Sequence, residues 1–201
     1  SNEEINIFNK NIEIFDRYYF NYFDDQRFGN RGNNYIIGKY IIKRDYENAI
    51  KLFLTDYENE KNQDAIKARK FLYENWGKFK EALKMFPNYL DVERSLLNYL
   101  SREENYKRAL KYIPKRLLKM FVHSYQSYLW NKLLSNYIKN NYGEEYFIET
   151  KIGKFYIIKD KKEIEKLKDI KFPLIGYDIK DKNIYRDILR EEGIDYEELK
   201  F

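Results

Sequence analysis

One long helical pattern between Pro114 and Gly143 constrains this chain more than any other feature of its sequence. Proline is tolerated at the start of a helix, where no backbone N–H is needed, and glycine often ends one. The apolar residues between them recur at helical spacing and are Leu117, Leu118, Phe121, Tyr125, Leu129, Leu133 and Tyr137. We predict one helix from Lys115 to about Asn140, the longest in the chain.

Shorter helices are predicted before Pro114, because capping residues precede apolar residues at helical spacing. Asp45 and Asp91 are two predicted caps, and residues 101–104 have the spacing of a capping box. One predicted helix follows the cap Asp45, a second covers 62–76, and a short third ends at Phe86. A fourth follows the cap Asp91, and a fifth is opened by the capping box at 101–104 and has its apolar residues at helical spacing between Tyr106 and Ile113. Residues 21–38, with three glycines among asparagine and arginine, are instead predicted to form an ordered loop.

The pattern changes after Gly143. Residues 145–150 and 155–159 are rich in Tyr, Phe and Ile, which predicts a β-hairpin. A short helix over 161–168, an extended stretch over 172–177 and a helix over 181–192 ended by Gly193 complete the assignment. The chain is therefore predicted to be a helix-rich α+β protein.

The residues that the chain lacks exclude several classes of site. There is no cysteine and only one histidine, His123, which excludes a Cys-based zinc site, a thiolate nucleophile and a multi-histidine metal centre. No apolar stretch approaches the roughly 18 residues that indicate a membrane span, and the first residues do not resemble a signal peptide. We expect a soluble, cytoplasmic protein without a metal, in which His123 is a hydrogen-bonded core residue.

Charge is distributed unevenly, although the net charge is only +5. Residues 105–143 contain eight basic side chains and no acidic one, whereas the rest of the chain has more acids than bases. Within this segment Arg108, Lys111, Lys115 and Lys119 recur at steps of three and four residues, so they could line one side. Such a run is usually a solvated face. The absence of acids favours the other interpretation, contact with the phosphates of RNA.

Two segments are not explained by periodicity. Residues 21–29 read Asn-Tyr-Phe-Asp-Asp-Gln-Arg-Phe-Gly, and residues 123–131 read His-Ser-Tyr-Gln-Ser-Tyr-Leu-Trp-Asn. They resemble an Asn-x-Phe-Gly-x-Gln-Arg-Phe-Gly loop and an Ala-Tyr-Gln-Ser-Tyr-Leu-Phe-Asn helix of the TruD family of tRNA pseudouridine synthases. Segments within 86–97 and 173–176 also resemble that family. Four matches in order are more specific than any one of them.

The resemblance implies a cofactor-free isomerisation of uridine to pseudouridine in tRNA, in which an aspartate acts on a base flipped into a pocket. In the family that aspartate lies in a Gly-x-Lys-Asp segment upstream of the Asn-x-Phe loop, and this sequence contains no such segment. The resemblance therefore implies tRNA as the partner and no catalytic residue within this chain. It leaves the oligomeric state open.

We interpret the chain as a non-catalytic, RNA-contacting fragment of a longer synthase. Residues 1–44 are then a remnant of the catalytic domain that carries the Asn-x-Phe loop. Residues 45–195 are the family's helical insertion domain, the TRUD domain, and residues 196–201 begin the return to the catalytic domain. The alternative is a stand-alone helical domain that binds RNA or protein without catalysis.

Asn21 and Phe23 are the expected substrate-binding residues, because an aromatic ring can hold an extruded base and an amide can hydrogen-bond it. Without the resemblance, Phe23 and Phe28 would both be interpreted as core anchors. With it, only Phe28 keeps a structural role. Arg27 either binds a substrate phosphate or ties the loop down through a carboxylate such as Asp25.

The second motif is expected to support this loop. Tyr125, Gln126 and Ser127 are the expected support, and we expect the side chains of Gln126 and Asn131 to bond to backbone or loop groups. Asp24 stands where the family pattern has glycine, so no nucleophile is expected there. Aspartate tolerates a left-handed backbone better than most residues, so the loop could keep its shape.

Overall fold

A computed structural model describes residues 20–200, and within that range it contains nine α-helices and one two-stranded sheet. The helices are α1 (Asn34–Ile42), α2 (Tyr46–Thr55), α3 (Gln63–Glu74), α4 (Phe79–Met85), α5 (Asp91–Leu100), α6 (Tyr106–Ala109), α7 (Lys115–Tyr142), α8 (Lys161–Leu167) and α9 (Arg186–Glu192). The strands are β1 (Phe147–Thr150) and β2 (Gly153–Tyr156). Short 3₁₀ helices cover Asp25–Phe28, Leu110–Tyr112, Lys182–Tyr185 and Tyr196–Leu199. The helix-rich α+β prediction is confirmed.

The long helix is the axis of the fold. As predicted, α7 begins directly after Pro114, and Gly143 caps its C-terminus with a positive φ of 93°. Its buried side chains enter three separate hydrophobic clusters in chain order. Phe121 packs with α1–α6, Tyr125, Leu129 and Leu133 pack with α9, and Leu134 and Ile138 pack with Ile158 and Ile164. None of the helices in residues 20–200 is long and apolar enough to cross a bilayer.

Helix α1 crosses α7 at an unusually close approach, and this corrects the predicted loop over residues 21–38. A Cβ on Gly38 would lie 2.1 Å from the backbone oxygen of Phe121 and 3.1 Å from the Cβ of Tyr125. Gly38 is therefore an interior residue of a helix and not a loop residue. The glycine is required by packing between two backbones, which local sequence does not reveal.

The helix starts show which capping predictions hold. Asp45 accepts a hydrogen bond from Asn48 N (3.3 Å), as predicted. Asn62, where the second helix is predicted to begin, is its N-cap and accepts from Asp64 N and Ala65 N (both 3.0 Å). Asp91 lies inside the first turn of α5 and is not its N-cap. The capping box at 101–104 is wrong, because the Ser101 hydroxyl donates to Asn98 O at the end of α5. Asn105 caps α6 instead by accepting from Arg108 N (3.0 Å).

The C-terminal third contains the predicted hairpin, with β1 antiparallel to β2 and Phe147 opposite Tyr156. Helix α8 also lies where it was predicted, with Asp160 as its cap. Residues 172–177 pair with no strand in the described part of the chain. Their carbonyls bond instead to α7 side chains, since Trp130 Nε1 donates to Phe172 O (3.1 Å) and Gln126 Nε2 donates to Ile175 O (2.7 Å).

The helix predicted over 181–192 is divided into a 3₁₀ turn and α9. Tyr185 stands at the break, is fully buried and donates its hydroxyl proton to Pro173 O (2.8 Å). Gly193 ends α9 in a left-handed conformation, as predicted.

Replacing Gly38 with alanine should separate α1 from α7. The added methyl group would overlap the Phe121 carbonyl, and overpacking of this kind costs roughly 3 kcal/mol or more at its upper end. We expect Gly38→Ala to lower the midpoint of urea unfolding strongly. Gly143→Ala is the control, because its Cβ would meet nothing within 4 Å and only the strain of its positive φ remains, about 1–3 kcal/mol. Equal losses in the two variants would contradict this account of the crossing.

Candidate nucleic-acid interface

Asn131 fixes the Asn21 loop, residues 21–29, on the surface of α7. Its Oδ1 accepts from Phe23 N and its Nδ2 donates to Phe23 O, both at 2.9 Å. The Asn131 side chain is fully buried, so these two bonds satisfy polar groups that have no access to water. The expectation that Asn131 bonds to the loop is therefore confirmed. The bonds reach the main chain of Phe23 and leave its ring unconstrained by them.

Two serines of α7 hold the next part of the loop. Ser124 Oγ donates to Arg27 O (2.7 Å), and Arg27 Nε donates to Ser127 Oγ (3.0 Å). One turn beyond Asn131, Ser135 Oγ accepts from Tyr156 N of β2 (3.1 Å). Steps of three, four and four residues place these four polar side chains on one face of the helix. We call Ser124, Ser127, Asn131 and Ser135 the polar stripe of α7.

The loop itself has an ordinary backbone at Asp24. Asp24 has φ −75° and ψ 162°, and its carboxylate caps the 3₁₀ helix by accepting from Asp25 N. The position therefore does not need glycine, and the departure from the family pattern leaves the backbone unstrained. Gly29 has φ +82°, and a Cβ there would overlap the Asn34 side chain. The left-handed requirement thus falls on Gly29 and not on residue 24.

Phe23 is half-buried between a second aromatic ring and a cation. Its ring lies 5.6 Å from that of Trp130 at 82°, and the Arg27 guanidinium lies 5.6 Å from the Phe23 centroid. Both arrangements are favourable because an aromatic face is electron-rich. Phe28 by contrast is fully buried and meets Tyr35 at 86° with centroids 5.9 Å apart. The two rings of the loop therefore occupy different environments.

A cleft of about 500 Å³ adjoins the start of the loop. Phe20, Asn21, Trp130 and Phe172 border it together with Lys168, Lys171 and four aliphatic side chains of residues 134–170. Its size falls in the range of small-ligand sites, roughly 300–1,000 Å³. It offers aromatic surface, one amide and two cations, which is a suitable lining for a planar, polar group beside a phosphate. Trp130 joins the cleft to Phe23.

Tyr22 anchors the other side of the loop to the hairpin. Its hydroxyl donates to Tyr156 O (2.7 Å), and its ring stacks on Phe155 with centroids 4.9 Å apart. Burial raises the pKa of Tyr22 well above its usual range. The phenol therefore stays protonated and remains a hydrogen-bond donor at physiological pH.

Several expected roles are corrected by the geometry. Arg27 makes no ion pair with Asp25, and within residues 20–200 the one hydrogen bond of its side chain is to Ser127. Of the expected support residues, only Ser127 bonds to the loop. Gln126 bonds to Ile175, as expected of a backbone contact, but not to the loop. His123 is exposed and so is not a core residue.

Tyr125 belongs to a half-buried ionic cluster centred on Glu192 of α9. Lys39 and Lys132 approach Glu192 to 2.7 and 2.8 Å, while the hydroxyls of Tyr125 and Tyr128 donate to it at 3.4 and 3.3 Å. Burial opposes ionisation of Glu192, but hydrogen bonds from Lys132 and Lys39 hold its pKa below the usual value. The cluster joins α9 to α1 and α7, so Tyr125 supports the scaffold and reaches the loop only through it.

The four predicted RNA-backbone residues lie in the segment that precedes the polar stripe, and two of them are at the start of α7. Arg108 is in α6, Lys111 is in the following 3₁₀ turn, and Lys115 and Lys119 share one face of α7. All four are exposed. Arg108 forms an exposed ion pair with Glu103 (2.9 Å), which lies just outside the acid-free segment. The predicted stripe therefore has one member with a local partner of little energetic weight.

Sequence reasoning missed Ser124, Ser135, Trp130 and Tyr22. One signal was present, because small polar residues at steps of three and four interrupt an otherwise apolar helix. Such residues are disfavoured in a buried helix face unless another segment satisfies them. Their spacing indicates a docking track, but not which segment occupies it.

Known proteins resemble this chain over most of its length. The family model for tRNA pseudouridine synthase D (TruD) matches residues 1–201. A Methanococcus maripaludis protein named "Probable tRNA pseudouridine synthase D 1" is 34% identical over 199 residues, covering 90% of this chain and 50% of the relative. A Nanoarchaeum equitans protein named "Probable tRNA pseudouridine synthase D" is 37% identical over 188 residues, covering 90% of this chain and 48% of the relative.

A solved structure shares the fold. The crystal structure of a Methanosarcina mazei protein described as tRNA pseudouridine synthase D (TruD) superposes with a TM-score of 0.69 at 27% identity, covering 90% of this chain and 47% of that one. The matches cover 90% of this chain but only about half the length of each relative.

Replacing Asn131 with alanine should release the loop from α7. The variant leaves Phe23 N–H and C=O without their partner, at a cost of roughly 1–3 kcal/mol. We expect hydrogen exchange at the Phe23 amide to accelerate by tenfold or more. Asn141→Ala is the matched control, because Asn141 is exposed on the same helix and its side chain bonds within that helix, to Tyr137 O. Unchanged protection of the Phe23 amide in Asn131→Ala would show that the loop is held by other contacts.

Proposed function

Because the chain belongs to the tRNA pseudouridine synthase D (TruD) family, we propose that it is part of an enzyme that converts uridine to pseudouridine in tRNA. The observation that carries the proposal is the loop clamped by Asn131, which presents Phe23 and Arg27 beside the cleft at Asn21. Because the proposed substrate is tRNA, we place the activity in the cytoplasm.

In this proposal Phe23 receives the extruded base. Its ring is half-buried, is fixed at the backbone and has Trp130 against it, so it offers a preformed surface for stacking. Asn21 is exposed at the rim of the cleft, where its amide can donate to or accept from a base edge. These two side chains bind and orient the base but carry no proton transfer.

Arg27 is proposed to contact a phosphate next to that base. Ser127 holds its Nε, and its two terminal amino groups make no hydrogen bond within residues 20–200. A guanidinium oriented through Nε can present its remaining N–H groups to a phosphate. Its position over Phe23 also covers one face of that ring until RNA binds.

The chemical step is proposed to rest on an aspartate outside this sequence, in a segment of the Gly-x-Lys-Asp type. The division into residues 1–44, 45–195 and 196–201, with the middle part as the TRUD insertion domain, likewise belongs to the proposal. In this division, the close crossing of α1 and α7 at Gly38 lies between the first two parts. Any reaction would thus take place against a loop already fixed to the insertion domain.

The test of this function compares Phe23→Ala with Phe28→Ala in the longer protein that contains this chain. Loss of a stacking surface costs about 1–3 kcal/mol, which corresponds to a 5- to 150-fold loss in tritium release from tRNA labelled at C5 of uridine. Phe28 is fully buried, so Phe28→Ala should instead lower stability by roughly 3–5 kcal/mol.

Two outcomes would contradict the assignment. If Phe23→Ala unfolds the protein while Phe28→Ala leaves it stable but slow, the roles of the two rings are reversed. If the longer wild-type protein releases no tritium, the proposed activity itself is wrong. The 201-residue chain alone serves as the blank, since we expect no release from it.

RNA binding through Arg108, Lys111, Lys115 and Lys119 is proposed to be weak, tolerant of sequence and sensitive to salt. Replacing all four with alanine should lower tRNA affinity and flatten the salt dependence by about 0.7–0.9 in logarithmic slope for each lost phosphate contact. The control replaces Lys67, Lys70, Lys80 and Lys84, four exposed lysines of α3 and α4. Equal affinity and slope in the two variants would show that the segment is only a solvated face.

A further inference from the structure

A second cavity adjoins the continuation of the same loop, at Asn30 and Arg31. It has a volume of about 770 Å³ and is bordered by four cations, Arg31, Lys61, Arg69 and Lys151. Glu60 is the one carboxylate in this lining, and Asn59 completes it. The lining therefore has an excess of three positive charges, and it shares no residue with the cleft at Asn21.

The two arginines converge on the C-terminal end of α2. Arg69 is only 2% exposed and donates through Nη1 to Phe53 O and Leu54 O, both at 3.0 Å. Arg31 donates through Nη1 to Asp56 O (2.8 Å) and Phe53 O (3.4 Å). The partial negative charge of these terminal carbonyls holds two guanidinium groups side by side. Hydrogen bonds to main-chain carbonyls thus hold both arginine side chains of the cavity wall in place.

This arrangement leaves a buried donor without an acceptor. Arg69 Nε makes no hydrogen bond within the described residues; Glu60 Oε2 forms an ion pair with it at 3.7 Å, beyond hydrogen-bonding distance. Arg69 Nη2 donates to Glu93 (2.7 Å), which balances part of its charge. Burial, and next the charge of Arg69, lower the pKa of Arg31 although Asp56, Glu93 and Glu60 oppose this. A bound anion would satisfy the donor and relieve the repulsion.

Two exposed lysines reach the same cavity from separate segments. Lys61 follows the turn at Asn59, while Lys151 lies in the hairpin turn, where its Cβ is 3.7 Å from the position that a Cβ on Gly32 would occupy. The cations thus come from the loop after Gly29, the segment before α3, α3 itself and the hairpin. A cavity this large, with cations on several sides, exceeds what a single small anion fills.

We propose that this cavity binds a phosphate of the RNA backbone, with Arg31 and Arg69 as the fixed donors and Lys61 and Lys151 as the flexible ones. The inference rests on the proposed function and extends it to a second contact. Arg31 lies eight residues after Phe23 on one continuous segment. RNA bound in the cavity would therefore be linked through the loop to the base-binding residues. Glu60 acts against binding and limits its strength.

The test uses Lys61→Ala with Lys151→Ala as a double variant and Glu60→Gln as its opposite. Neither lysine side chain bonds to another described residue, and glutamine retains the oxygen that accepts from Lys61 N and Asn62 N, so folding is preserved. We expect the double variant to bind unmodified tRNA about tenfold more weakly with a shallower salt dependence. Glu60→Gln should bind it severalfold more tightly. Lys80→Ala, at an exposed lysine of α4, should bind like wild type.

The outcomes separate this site from the proposed activity. If the wild-type protein binds and isomerises tRNA, and the double variant binds tRNA as tightly as Lys80→Ala does, the phosphate site alone is overturned. Weaker binding by Glu60→Gln would overturn it as well. Inorganic phosphate is the second probe. If it raises the melting temperature of the wild type but not of the double variant, while both bind tRNA with equal affinity, the assignment to RNA is overturned. Absence of isomerisation by the longer wild-type protein would overturn the proposed function instead.

Discussion

The middle of α7, residues 124–138, contains no exposed side chain, and packing on all sides of this segment is the constraint on which the structure depends. A helix with one apolar stripe can rest on a single partner, but α7 contributes side chains to three hydrophobic clusters in succession. Each cluster recruits a different part of the chain, so the order of contacts along α7 sets the order of the surrounding elements. The close crossing at Gly38 fixes the first of these, and the charged cluster at Glu192 fixes the second.

The polar stripe shows how the same helix positions a functional loop. Buried hydroxyl and amide groups destabilise a fold unless they are hydrogen-bonded. Here Ser124, Ser127 and Asn131 are satisfied by Phe23 and Arg27 of the loop. Loop docking and core formation are therefore one event, because displacing the loop would leave polar atoms unpaired in the interior. This coupling gives rigidity to a segment that has little secondary structure of its own.

Local signals account for the parts of the fold that sequence predicts. Asp45, Asn62, Pro114 and Gly143 act within one turn of themselves, and each marks a boundary found in the structure. Gly38 was interpreted as a loop residue, whereas glycine is required there because the backbone of another helix lies against it. Residues 101–104 have a capping-box spacing, but Ser101 bonds backward into α5. Contacts over long sequence separation have no comparable local signature.

The candidate site follows the same division. The motif resemblance identified the loop and its partner helix, and Asn131 was expected to bond there. Tyr125 and Gln126 bond to Glu192 and to Ile175 O and not to the loop, because neighbours on a helix point in different directions. The paired guanidinium groups of Arg31 and Arg69 arise from segments about forty residues apart that meet on α2 carbonyls. Only the folded chain brings them together.

The bonds from Asn131 have a consequence for how this site can change over time. They hold the peptide units on either side of residue 23 and make no demand on its side chain. Evolution or an engineer can therefore exchange the ring for another shape while the loop keeps its path. Under the proposed function, specificity at this position is separable from architecture, so new substrate preferences can be explored without first redesigning the scaffold.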